Sequence, residues 1–216
     1  MDPLPPDFTQ PPGWYILQPM ESSTQLARSP ELMSRHDTAL LVVDVQGKLA
    51  SAVQDSSLLI WNIQRLIQGA QLLGLPVAAT EQYPEGLGET IPELAEMLTD
   101  VSSKRMFSCG EVGDLFANWS KAGIHKILVS GIEAHVCIQQ TVLDLLAEGF
   151  HVYLARDAIS SRQTLDAETA ISRMEASGAT ITSTEAVLFE WCATSKCPEF
   201  KSISQLVQQS APSGDN

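Results

Sequence analysis

The chain has 216 residues, of which 44% are hydrophobic and 18% charged, as is typical of a globular protein with one large domain. Acidic residues outnumber basic ones by 26 to 13, giving a formal net charge of −13. Because the basic residues are scattered, this charge argues against nucleic acids and anionic membranes as partners. No apolar run reaches the roughly 18 residues of a membrane span. The four cysteines, too few for a disulfide framework in a chain of this size, are expected to be reduced thiols in a cytoplasmic protein.

Residues 1–36 are interpreted as a proline-rich N-terminal extension without a helix or a central strand. Its start is acidic and resembles neither a secretory signal nor a transit peptide. The apolar residues from Trp14 to Leu17 predict that the extension packs on the domain or on a neighbouring subunit. We therefore predict one domain at residues 37–208 and a disordered tail at residues 209–216.

Strands and helices are predicted to alternate through this domain. Short runs rich in apolar and β-branched residues, such as "TALLVVDVQ", are typical of strands that are buried on both faces. Strands are predicted at 38–46, 75–82, 126–131, 151–158 and 179–184, and helices at 57–74, 90–98, 112–123, 135–149, 166–178 and 184–192. Residues 102–109 form a short segment without a clear pattern. The alternation predicts an α/β fold, a three-layer, doubly wound, mostly parallel sheet with helices on both faces.

Three residues fall near the carboxyl ends of predicted strands, where such sheets bind ligands. Asp44 ends the first strand, Lys104 lies in "SSKRMFSC", and Cys137 begins the helix after "LVSGIEAHV". Each has an ordinary alternative: a helix cap for Asp44, a solvated surface residue for Lys104, and an inert core thiol for Cys137. Together they predict a nucleophilic thiol with two charged partners. In the first turn of a helix, Cys137 is expected to have a lowered pKa.

Other motifs are absent or inconclusive. The sequence contains no G-x-S-x-G elbow, no P-loop and no G-x-G-x-x-G after a strand. The four histidines are spread singly, and no metal or other cofactor is predicted. Residues near strand ends or beside the three candidates are predicted to line a substrate pocket, with packing or surface roles as the alternative: Gln46, Glu81, Tyr83, Phe107 and His135.

The segments "LLVVDVQ", "SSKRMFS" and "VSGIEAHVCIQQTVLDLLAEGFHVYLARDA" resemble, in order and spacing, the isochorismatase-like cysteine hydrolase superfamily. "TEQYPEGLGETIPEL" and "GIEAHVC" look like the subgroup of isochorismatase domain-containing proteins. The resemblance covers about residues 38–192. It implies a Rossmann-like sheet with strand order 3-2-1-4-5-6 and a homo-oligomer.

The resemblance also implies a catalytic triad. Cys137 would be the nucleophile, Asp44 the base and Lys104 the cation that stabilises the thiolate. A non-proline cis peptide bond would precede Glu133, and the backbone N–H groups of Glu133 and Cys137 would form the oxyanion hole.

The sequence differs from two groups of the superfamily, and these differences limit the activity that the resemblance implies. The region after the second strand, "TEQYPEGLGE", lacks the histidines of the metal-dependent nicotinamidases, and Cys137 is a residue that isochorismatases proper lack. The sequence therefore predicts hydrolysis of a small amide or related carbonyl compound through a thioester. The alternative is a catalytically silent scaffold or interaction protein on the same fold.

Overall fold

The computed structural model describes residues 26–212, so most of the predicted N-terminal extension and the end of the predicted tail lie outside the described residues. The chain separates into two units, Met1–Glu31 and Leu32–Asn216, and the following account concerns the second. The predicted boundary between residues 36 and 37 falls inside this unit. Met33 is fully buried, and the Arg35 Nε atom donates a hydrogen bond of 2.9 Å to the carbonyl of Leu73.

The described residues contain one six-stranded sheet. Its strands are β1 (Thr38–Val43), β2 (Val77–Gln82), β3 (Val101–Lys104), β4 (Lys126–Ile132), β5 (His151–Ser160) and β6 (Thr180–Thr182). They pair in the order β3-β2-β1-β4-β5-β6, and every pairing is parallel. This arrangement confirms the predicted doubly wound α/β fold and its strand order.

Helices connect the strands. They are α1 (Gly47–Ala50), α2 (Ser56–Leu73), α3 (Pro84–Leu87), α4 (Pro92–Ala95), α5 (Gly113–Lys121), α6 (Gln139–Ala147), α7 (Thr164–Ala176), α8 (Thr184–Cys192) and α9 (Phe200–Val207). A 3-10 turn at Cys109–Val112 precedes α5, and a π-helical turn at Ala134–Ile138 precedes α6. No helix within residues 26–212 has both the length and the apolar character needed to cross a membrane.

The central strands are buried on both faces, as their continuous apolar sequences predict. All six residues of β1 and all seven of β4 are buried. Side chains alternate between the two faces. Leu40 and Val42 join the core against α2 and α8, whereas Leu41 and Val43 join the core against α5, α6 and α7.

Close packing of the two central strands, β1 and β4, requires a glycine near their carboxyl ends. Gly131 lies opposite Val43 and has a φ of 124°, which favours glycine. A Cβ atom at this position would collide with the backbone of Val43. The backbones of β1 and β4 therefore approach each other closely where β1 ends in Asp44.

Some elements differ from the predictions. The segment without a clear pattern contains edge strand β3. Lys104 is the only buried residue of this strand, so hydrophobic alternation could not reveal it. The helix predicted at residues 135–149 is divided into the π-helical turn and α6, and the helix predicted at residues 90–98 is the single turn α4. Helix α9 was not predicted from the sequence.

Candidate active site

Asp44 and Lys104 form a buried ion pair at the carboxyl edge of the sheet. The Lys104 Nζ atom lies 2.7 Å from Asp44 Oδ2, and both side chains are fully buried. Asp44 directly follows β1 with a left-handed φ of 52°, and its Oδ1 accepts a hydrogen bond of 2.8 Å from Thr80 Oγ1. Each carboxylate oxygen therefore has a partner, which offsets the cost of burying the charge.

The Lys104 ammonium group is surrounded by oxygen acceptors. Besides Asp44, its Nζ donates to Gln82 Oε1 at 2.9 Å and to the carbonyl oxygens of Phe107 at 2.9 Å and Met106 at 3.3 Å. Because β3 and β2 are neighbours in the sheet, Lys104 lies opposite Gln82. A buried lysine can remain charged only with such partners, so these contacts hold the cation beside Asp44.

Cys137 lies in the π-helical turn after β4, with 4% of its surface exposed. Its backbone carbonyl accepts a hydrogen bond of 2.6 Å from Thr141 Oγ1. Burial raises the pKa of the Cys137 thiol, and the charge of Asp44 and a hydrogen bond with Asp44 raise it further, whereas Lys104 lowers it. Cys137 thus lies within reach of both members of the ion pair.

The expected lowering of the Cys137 pKa is wrong. The expectation considered only the helix N-terminus, whereas the structure adds burial and a neighbouring carboxylate. Both disfavour the thiolate, and together they outweigh Lys104. The resting group is consequently a thiol, hydrogen-bonded with a carboxylate that is able to accept its proton.

A second thiol lies close to the same ion pair. Cys109 is fully buried, and its Sγ atom is 3.5 Å from Thr80 Oγ1, the hydroxyl that bonds Asp44. Its backbone N–H donates to Thr141 Oγ1 at 2.9 Å, so Thr141 connects Cys109 to Cys137. Burial is the largest of the effects that raise the pKa of Cys109. Cys109 therefore offers a buried comparison thiol in almost the same surroundings.

The peptide bond between Ile132 and Glu133 is cis, at the position that the resemblance implies. Glu133 itself is buried, and its Oε1 atom accepts a hydrogen bond of 2.7 Å from Arg162 Nε. Its carbonyl accepts hydrogen bonds from the N–H groups of Val136 and Ile138, which hold the turn around Cys137.

Two of the predicted pocket residues support the backbone. Gln46 is fully buried; its amide donates to the carbonyls of Gln82 and Gly88 and accepts from the Gln82 N–H. Glu81 accepts from the N–H and the hydroxyl of Thr90 at 2.6 and 2.8 Å. These contacts connect β2 to the loop before α4.

The other predicted pocket residues are more accessible. Tyr83 and Phe107 are 44% and 51% exposed, and Arg105 stacks on the Tyr83 ring at 4.2 Å. His135 is partly buried, with its Nδ1 atom 3.0 Å from Ser161 Oγ. These side chains follow β2, β3 and β4, so they lie on the same edge of the sheet as the ion pair.

Other features of the described region do not coincide with this site. A cavity of about 690 Å³ is lined by residues of α5, of α6 and of the segment between α6 and β5, among them Phe116, Leu145 and Phe150, but not by the three predicted catalytic residues. Among residues 26–212 no group of three or more His, Cys, Asp or Glu side chains is arranged to hold a metal ion.

Sequence analysis missed the supporting residues Thr80, Gln82 and Thr141. They are polar residues that adjoin buried apolar ones, which is a signal for buried hydrogen-bonding groups. Their partners, however, follow only from the strand register.

Residues 38–186 match the isochorismatase domain family. A relative from Salmo salar, isochorismatase domain-containing protein 1, is 38% identical over 178 residues, which are 81% of this chain. The match covers 62% of the relative's length, so the chain spans less than two thirds of that protein.

Solved structures agree with the sequence matches. The MAR1 ribonuclease of Caenorhabditis elegans shares 37% identity and a TM-score of 0.78, over 85% of this chain and 95% of that one. The ycaC gene product of Escherichia coli, described as an octameric hydrolase of unknown specificity, has the same fold. Its TM-score is 0.76 at 22% identity, over 83% of this chain and 91% of that one. The chain belongs to the isochorismatase domain family.

Proposed function

We propose that this protein is a cysteine hydrolase that cleaves the C–N bond of a small amide or related carbonyl compound through a thioester. The observation that carries the proposal is the fully buried Asp44–Lys104 ion pair, whose two charges both act on the Cys137 thiol. A nucleophile, a base and a cation are thereby combined in one desolvated place.

In the first half of the proposed reaction, Asp44 accepts the thiol proton as the Cys137 sulfur attacks the carbonyl carbon. A C–S bond forms, and the carbonyl oxygen becomes an oxyanion. The N–H groups of Glu133 and Cys137 would stabilise that oxyanion. Lys104 remains paired with Asp44 and favours the thiolate as it forms.

In the second half, the tetrahedral intermediate collapses and the C–N bond breaks. The leaving amine takes the proton from Asp44, which leaves a thioester on Cys137. Asp44 then accepts a proton from water as the water oxygen attacks the thioester carbon. The C–S bond then breaks, the acid product departs, and the Cys137 sulfur takes the proton back from Asp44, so that the resting thiol is restored.

Ribonuclease activity, which the name of the Caenorhabditis elegans relative carries, is a weaker candidate for this chain. The net charge of −13 opposes binding of a polyanion, and the one lysine of the proposed triad is fully buried in its ion pair. We therefore propose a small-molecule substrate and no nucleic-acid partner.

The proposal extends to assembly and location. We propose a homo-oligomer, because a structural relative of the same fold is described as octameric. We also propose a cytoplasmic location, since all four cysteines are free thiols. Light scattering during size-exclusion chromatography tests the assembly: a single monomer mass at all concentrations would contradict it.

A panel of small amides, ureas and esters tests the activity, with product release as the readout. We compare the unmodified protein with Cys137→Ala and with Cys109→Ala, a matched removal of a buried thiol beside the same ion pair. We expect Cys137→Ala to lose turnover and Cys109→Ala to retain it. Turnover that survives in Cys137→Ala would rule out the thioester mechanism, whereas no turnover of any compound by the unmodified protein would favour the scaffold alternative.

A further inference from the structure

A second pair of thiols lies at the opposite edge of the sheet from the proposed active site. Cys192 is the last residue of α8 and is 4% exposed, and Cys197 lies in the following loop and is partly exposed. Arg35, which precedes β1 and bonds the carbonyl of Leu73 at the end of α2, contacts Cys197. The proposed hydrolysis uses none of these side chains.

An unusual turn brings the two cysteines together. At Ala193 the chain leaves α8 with φ 62° and ψ −33°, and the Thr194 N–H donates to the Cys192 carbonyl at 2.7 Å. Such a three-residue turn with positive φ is rare for a residue other than glycine. The Thr194 carbonyl then accepts from both Cys192 Sγ at 3.6 Å and Cys197 N–H at 3.0 Å. Burial raises the pKa of Cys192, and its interaction with the neighbouring Cys197 thiol raises it further.

Charged groups flank the more accessible thiol. Cys197 Sγ lies 2.8 Å from Glu199 Oε2 and 3.5 Å from Arg35 Nη1, and Arg35 pairs with Glu199 at 3.1 Å. Hydrogen bonding with Arg35, and then with Cys197, lowers the pKa of Glu199 to about 2. The carboxylate is therefore ionised and accepts the S–H bond, whereas Arg35 presents positive charge to the sulfur. The Cys197 sulfur, which is partly exposed, therefore has both a carboxylate and a guanidinium group as neighbours.

We propose that Cys197 and Cys192 form a redox-active dithiol that reacts with peroxides and closes to a disulfide. Cys197 loses its proton to solvent, and its sulfur attacks one peroxide oxygen. An S–O bond forms, the O–O bond breaks, and the leaving oxygen takes a proton, giving water or an alcohol. Cys197 is then a sulfenic acid.

The neighbouring thiol completes the reaction. The Cys192 sulfur attacks the Cys197 sulfur, an S–S bond forms, and the S–O bond breaks. The released hydroxide takes the Cys192 proton and leaves as water. The two thiols have together lost two electrons and two protons, and the peroxide has been reduced. The new bond connects the end of α8 to its own following loop and removes Cys197 from Glu199.

Peptide mapping tests the pairing in the unmodified full-length protein. Trypsin cleaves after Lys196, between the two cysteines, and releases residues 174–196 and 197–201 as separate peptides. After treatment with equimolar hydrogen peroxide and alkylation of the remaining thiols, we expect these peptides to be joined without reductant and separated by dithiothreitol. Cys109, which is fully buried, is the internal control and should still be alkylated after unfolding. Alkylated Cys197, or Cys197 oxidised without a bond to Cys192, would overturn the proposal.

Charge replacement tests the contribution of Arg35. We expect Arg35→Gln to slow formation of the joined peptide about tenfold, because it removes the positive charge that lies 3.5 Å from the attacking Cys197 sulfur. Arg35→Lys retains the positive charge and should stay within about threefold of the unmodified rate, which separates charge from folding damage. Equal rates in Arg35→Gln and the unmodified protein would overturn the assignment of Cys197 as the activated thiol.

Discussion

Replacing Lys104 by methionine removes one half of a buried ion pair and tests the proposed electrostatics of the site. Nζ is 2.7 Å from Asp44 Oδ2, and neither side chain is exposed. The replacement also removes the donor that bonds Gln82 Oε1 and the Phe107 carbonyl. Leaving one member of such a pair unpaired costs about 3–5 kcal/mol. We expect the free energy of unfolding to fall by that amount.

The next residue along the chain supplies a matched control. Arg105 also makes an ion pair, at 2.9 Å to Glu85, but both side chains are more than half exposed, at 61% and 65%. Arg105→Met should therefore cost only about 0–1 kcal/mol. Urea unfolding measured by circular dichroism gives both values under the same conditions.

A double replacement sharpens this test. Asp44→Asn in the Lys104→Met background removes the stranded negative charge, so the double variant should be more stable than Lys104→Met alone. The reasoning is refuted if Lys104→Met and Arg105→Met cost the same within about 1 kcal/mol, the expected upper value for an exposed pair.

Three further predictions concern stability and reactivity. Burial raises the pKa of Asp37, but hydrogen bonds, led by the one from Lys126, lower it more, so the net pKa is lowered. The ionised Asp37 therefore stabilises the folded state at neutral pH, and this contribution is lost as the pH falls through the lowered pKa. Asp37→Asn should cost about 1–2 kcal/mol at pH 7 and almost nothing in strong acid, as measured by urea unfolding; a cost independent of pH would contradict this. Gly131→Ala should lower the free energy of unfolding by about 3 kcal/mol or more. Gly47→Ala is the control, because a Cβ there has open space, and it should change this free energy by about 0.5 kcal/mol or less. Similar effects of the two variants in thermal unfolding would refute the close strand contact. Burial raises the pKa of Cys137, so the rate of its alkylation by iodoacetamide should rise about tenfold per pH unit, with no plateau near the usual thiol pKa of about 8.5. A plateau near that pH would show that Cys137 is an ordinary thiol.

The central sheet could be predicted from the sequence because its strands are continuous apolar runs. Strands β1 and β4 are buried along their whole length, so their sequences carry the signal directly. Edge strand β3 has only one buried residue, and its pairing with β2 depends on register rather than on hydrophobicity. Its location followed from family resemblance alone.

The three predicted catalytic residues could be named from the sequence, but their electrostatics could not. The positions of Asp44 and Cys137 after strands follow from the alternation of strands and helices, whereas that of Lys104 followed from the family resemblance. The direction of the Cys137 pKa depends on how deeply the thiol is buried and on its contact with Asp44, which are properties of three-dimensional packing. Gln46 was predicted for the pocket from its place beside Asp44, whereas its hydrogen bonds to Gln82 and Gly88 depend on the path of the following loop.

Acylation of Cys137 by an activated ester is the most direct test of the central claim, because it requires no knowledge of the natural substrate. We would mix the protein with p-nitrophenyl acetate, follow release of p-nitrophenolate, and locate the acetyl group by tryptic mass mapping. Trypsin places Cys137 in residues 127–156 and Cys109 in residues 106–121, so the two thiols are distinguished. We expect a burst of about one equivalent followed by slower turnover, with the acetyl group on Cys137 as a thioester. An acetyl group on Cys109 or on surface lysines, with no burst, would contradict the assignment of Cys137 as the nucleophile.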